Sequence, residues 1–119
     1  MADHDLESDR DLFAASAEAT WSSVRAGDAK RGSKHTKERD SIVAYWVKRG
    51  QCLELLQPLL VVESEEIRYA AASQLLANGA AQVALAVLED LEHNSNGLVA
   101  PTARLLLLKW RQQHMERDQ

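Results

Sequence analysis

Apolar residues return every three or four positions along this chain, in six successive stretches, and little interrupts them. That spacing is the signature of α-helices with one face turned inward. Five glycines and two prolines in 119 residues are too few turn formers for a sandwich or a barrel. The chain is therefore expected to be all-α. At this length one domain, residues 1–119, can bury a core without a metal or a disulfide.

The first stretch, 6–26, places Leu6, Phe13, Ala17, Trp21 and Val24 on one face. Asp3 or Asp5 can cap its start, and Gly27 can end it in the left-handed conformation. The second, 33–50, carries His35, Arg39, Ile42, Val43, Trp46 and Val47 at helical spacing. The third, 51–62, points Leu53, Leu56, Leu59 and Leu60 inward, and Pro58 should bend or tighten it. Ser64 caps the fourth, and Glu65 and Glu66 suit its positive N-terminal end. Its stripe is Ile67, Ala70, Ala71, Leu75 and Leu76, and Asn78-Gly79 stops it. The fifth, 80–92, buries Val83, Ala84, Val87, Leu88 and Leu91. The sixth, 98–114, has Pro101 in its first turn and turns Ala103, Leu106, Leu107 and Trp110 inward. Residues 115–119 read as a frayed tail. Short links make sequential helices antiparallel neighbours, which gives three pairs. Trp21, Trp46 and Trp110 each lie on an apolar stripe and are expected as core anchors.

The run Leu55-Leu56-Gln57-Pro58-Leu59-Leu60, then Glu66-Ile67-Arg68-Tyr69-Ala70-Ala71 and Leu75-Leu76, resembles a HEAT repeat over about residues 51–79. It departs from the usual pattern at Val61-Val62, where an aspartate commonly closes the turn. The stretches 83–91 and 103–110 form a looser copy. A wider pattern is also visible in Arg25-Ala26-Gly27-Asp28, Lys48-Arg49-Gly50, the HEAT-like unit and Leu108-Lys109-Trp110. It is similar to a family of small bacterial proteins described only as a domain of unknown function, whose asparagine is replaced near Ser33. The resemblance implies three helix pairs stacked as a short HEAT- or armadillo-like right-handed superhelix. It brings no catalytic motif.

Several chemistries lack their residues. Cys52 is the single cysteine, so no internal disulfide is possible. His4, His35, His93 and His114 stand at no metal-ligand spacing with one another or with Cys52, so no metal site is expected. There is neither a G-x-S-x-G elbow nor a phosphate-binding G-x-x-x-x-G-K-[ST] loop. A non-enzymatic protein with no cofactor is the expectation. Residues 1–11 are acidic and polar without the layout of a secretory signal. The longest apolar runs, 59–62 and 105–108, are far too short to span a bilayer. A cytoplasmic location is therefore expected, with no membrane partner.

Charge is distributed unevenly. The whole chain carries 14 basic and 18 acidic side chains, a net −4. Residues 25–39 hold six bases (Arg25, Lys30, Arg31, Lys34, Lys37 and Arg39) against two acids, a net +4. Residues 54–92 hold seven acids against Arg68 alone, a net −6. The fourth and fifth helices form a hairpin, which brings Glu63, Glu65 and Glu66 to the same edge as Glu89, Asp90 and Glu92. The second trio opposes the local helix dipole by a few tenths of a kcal/mol each, which leaves room for a role other than helix stability. These six carboxylates are the candidate protein-binding edge, suited to a basic partner such as the toxin of an immunity or antitoxin-type protein. Solvated surface charge is the plainer alternative. The six bases of 25–39 are the candidates for nucleic-acid binding, against which stand the acidic whole and the lack of interleaved aromatics. The oligomeric state has no signature in the sequence.

Overall fold

Six α-helices form from these stretches in the computed structural model, which describes residues 6–117. They are α1 (Leu6–Arg25), α2 (Ala29–Lys48), α3 (Cys52–Leu56), α4 (Glu65–Ala77), α5 (Ala81–Asn94) and α6 (Val99–Arg117), with a 3-10 helix (Gln57–Val61) between α3 and α4. No strand occurs among the described residues. None of their helices is long and apolar enough to cross a membrane. The caps expected at Asp3 and Asp5, His4 and residues 118–119 lie outside the described residues, as does the side chain of Leu6. The helix continues to Arg117, three residues past the expected end at His114.

α2 starts four residues earlier than its sequence suggests. Gly27, at φ +75°, turns the chain, and the Asp28 carboxylate then accepts the Arg31 N–H at 3.0 Å. That bond satisfies one of the free N–H groups of the first turn. Gly32-Ser33, which looks like a breaker, therefore sits inside the helix, with Gly32 buried against α1.

α1 and α2 are joined by side chains as well as by packing. Arg39 reaches back to α1 and donates to the Thr20 hydroxyl at 2.6 Å and to the Ser16 carbonyl at 3.0 Å. The Ser16 hydroxyl in turn donates to the His35 carbonyl at 2.7 Å. Burial pulls the Arg39 guanidinium below its usual range, partly offset by Asp40. The Phe13 and Trp46 rings meet between the two helices, with centroids 5.9 Å apart.

Pro58 acts as expected. It has no N–H to continue the α-ladder, and the helix tightens into the 3-10 form from Gln57. Leu55, Leu56, Leu59 and Leu60 are buried, while Leu53 points to solvent at 45 % exposure. Val24 and Val47, expected inward, are also about half exposed, each in the last turn of its helix.

α4 lies at the centre and touches α1, the 3-10 helix, α5 and α6. Ile67, Ala70, Ala71, Ala72, Leu75 and Leu76 are all buried. Small side chains let neighbouring backbones approach, and the alanine run supplies them where α4 is surrounded. Trp21 meets Tyr69 edge-on with centroids 5.8 Å apart, which fixes α1 against α4. The Ser64 hydroxyl caps α4 by accepting the Ile67 N–H at 3.3 Å. Ser64→Ala is expected to cost about 1 kcal/mol and lower Tm by roughly 3–6 °C. A calorimetric Tm equal to that of the parent would remove the cap from the account.

A candidate protein-binding cleft

α4 packs on α5, and the two acidic trios have different surroundings. Asp90 faces Arg68 at 3.7 Å and accepts from the Asn94 side chain at 2.8 Å. Glu89 meets Arg111 of α6 at 3.4 Å. Glu92 borders a shallow depression with His93, Pro101 and Arg104. Two acids of the second trio thus face a base, and the third shares its depression with Arg104.

The first trio has a different setting. Glu63, Glu65 and Glu66 line a cleft of about 620 Å³ between α1, the start of α4 and the turn that precedes α6. α1 contributes Glu18, Trp21 and Arg25, and the turn contributes Asn96, Gly97, Leu98 and Val99. Glu65 holds the far wall in place, since its carboxylate accepts the Asn96 N–H at 3.2 Å. Gly97 follows at φ +63°, a conformation that suits glycine. Ser64 donates to Glu18 at 3.4 Å across the near wall. Arg25 is the only base in the lining and is bound to Glu66 at 3.1 Å. The other Glu66 oxygen is buried and has no hydrogen-bond partner among the described residues.

Four carboxylates against one guanidinium leave this cleft strongly negative. Leu98, half exposed, adds apolar surface, and the largely buried Trp21 and Val99 show only their edges. Such a lining suits a cation on a hydrocarbon stem, with carboxylates for the charge and the indole and aliphatic groups for the stem. No histidine or cysteine takes part. Glu18 gave no local sequence signal, because its place in the cleft depends on how α1 packs against α4.

The basic segment is also divided. Arg25 turns to Glu66 and Arg39 is sunk between α1 and α2. Lys30, Arg31, Lys34 and Lys37 stay exposed on α2. Lys30, Lys34 and Lys37 share one stripe with Lys48 at 100° per residue, opposite the buried Val43 and Trp46.

Among the described residues no group of three histidines, cysteines or acids could hold a metal ion. His114 stacks on Trp110 with centroids 3.8 Å apart, and its Nδ1 lies 2.9 Å from the Trp110 carbonyl. Trp21 and Trp46 are buried and Trp110 is half-buried. Cys52 is half-buried as well, and burial pushes its thiol up, away from the reactive thiolate. Comparison with known proteins finds no family model, no curated protein and no solved structure that matches the chain.

Proposed function

We propose that this chain is a non-enzymatic, HEAT-like protein-interaction module of a bacterial cytoplasm that binds a basic partner through its acidic cleft. In its sharpest form it is an immunity or antitoxin-type protein that covers the basic site of a toxin. One observation carries the reading: Glu18, Glu63, Glu65 and Glu66 converge around Trp21 in a cleft whose single base is already bound. Stacked helix pairs offer the continuous surface that such docking uses. Charge complementarity of this kind speeds association and rejects wrong partners.

Glu18→Lys with Glu63→Lys is the test, because both positions are exposed and the variant leaves Arg25–Glu66 and Glu65–Asn96 intact. Immobilised parent chain is expected to retain a basic protein from host lysate after nuclease treatment. The double variant should lose it, with the association rate falling by about tenfold or more at low salt. An undiminished association rate would overturn the electrostatic cleft.

The exposed bases of α2 favour a second reading, nucleic-acid binding by a HEAT-like fold. It predicts duplex affinity that falls steeply with salt and is lost in Lys30→Glu with Lys34→Glu. Capture that vanishes on nuclease treatment would move the function to this helix.

A further inference from the structure

α6 is apolar on two faces. Val99, Ala103 and Leu107 are buried against the molecule, and Leu106 and Trp110 pack beside them. The opposite side carries Leu105 and Leu108 at 59 and 50 % exposure, with Pro101 exposed before them and Leu98, at 49 %, in the turn that leads into the helix. Single exposed leucines are ordinary, but these are contiguous. Their spacing is three, four, three, the a and d positions of a two-heptad seam. At 100° per residue all four fall within about 80° of arc. A helix apolar all round is normally covered all round. Here α5 and α4 are the neighbours of α6 and cover one side.

The flanks of the seam say what would cover the other. In this register the e and g positions are Thr102, Arg104, Lys109 and Arg111. Three of them are exposed bases and none is an acid. Arg111 meets Glu89 at 3.4 Å, and Arg104 borders the depression that holds Glu92. Flanking charges set partner choice in paired helices. Two copies of α6 would set bases against bases, which opposes self-pairing. A helix with carboxylates beside its apolar stripe would meet Lys109 on one side and could draw Arg104 and Arg111 from their exposed neighbours Glu92 and Glu89 on the other.

From this seam and its basic flanks we infer that the outer face of α6 is a second docking surface, whose occupant is an amphipathic helix with acidic flanks. The surface adjoins the acidic cleft at Leu98, which lines both, but selects a partner of the opposite charge.

The full chain is titrated with a labelled synthetic helix of about three heptads, leucine at a and d and glutamate at e and g. A second peptide carries lysine at e and g. Fluorescence anisotropy is expected to show at least about tenfold tighter binding of the glutamate peptide at low salt. Leu105→Ser with Leu108→Ser should abolish that binding while the circular dichroism and Tm stay near the parent values. Arg104→Glu with Lys109→Glu should invert the preference between the peptides. Equal binding of both peptides, or no binding of either, overturns the inference. So does a parent chain that sediments as a dimer and becomes monomeric in the double serine variant, because the seam is then a contact between copies.

Discussion

Trp46→Ala is expected to destabilise the protein by about 3–5 kcal/mol, a large share of the stability of a domain this size. The side chain is 0 % exposed and its ring lies against Phe13 between α1 and α2. Those two helices are in contact from Ser23 and Gly32 to Phe13 and Trp46, so a cavity there loosens the packing of the N-terminal half. Surrounding side chains can relax only in part, and the void adds to the lost transfer energy. The indole N–H finds no acceptor among the described residues. Trp46→Phe keeps most of the bulk and removes that unpaired donor, so it should cost less than half as much as alanine. Urea unfolding followed by circular dichroism measures both. Equal losses for phenylalanine and alanine would mean that the N–H, not the ring volume, holds the site.

Ala71→Leu is the second large effect, expected at about 1–3 kcal/mol or more. Ala70, Ala71 and Ala72 are 4, 0 and 0 % exposed, on the helix that the other elements surround. A leucine at Ala71 has no solvent side to escape to. It must push a neighbouring helix away or adopt a poor rotamer. Ala77→Leu on the same helix is exposed and serves as the control, with a change within about 0.5 kcal/mol. Thermal melting of the pair separates packing from helix propensity. Similar Tm values for the two variants would show room around α4 that close packing denies.

The helices were largely legible because their ends carry chemical signals. α4 is the clearest case, with Ser64 before it, two glutamates in its first turn, Asn78-Gly79 after it, and every residue of its expected stripe buried. α2 was harder. Gly32-Ser33 looks like a break, yet the Asp28 cap and the turn at Gly27 set the start, and tertiary contact with α1 overrides the weak propensity of Gly32. Leu53 and Leu55 exchanged roles for a similar reason. Periodicity gives a face but not its phase when a helix is only five residues long and α1, α2 and α4 decide which side is covered.

The candidate site was legible by half. The packing of α4 on α5, with Arg68 against Asp90, is what the short link between them suggests. Which acids turn into a common space depends on rotation about each helix axis and on bases elsewhere, Arg68 and Arg111 among them. Glu18 completes the cleft from 46 positions away along the chain from Ser64, a distance over which no local spacing rule operates.

The bond between Arg25 and Glu66 makes any other cation in the cleft a competitor. A lysine or arginine that enters the cleft meets a cation already in residence, tethered to α1 and bound at 3.1 Å. Binding is then an exchange of one cation for another, and the free energy gained is the difference between them. A lone lysine gains little from displacing a guanidinium of its own charge. A partner that brings several cations at once, enough to occupy Glu18, Glu63 and Glu65 while Arg25 stays, gains far more. For the proposed function, the resident arginine would thereby set a threshold that separates a strongly basic surface from the scattered single charges of ordinary proteins.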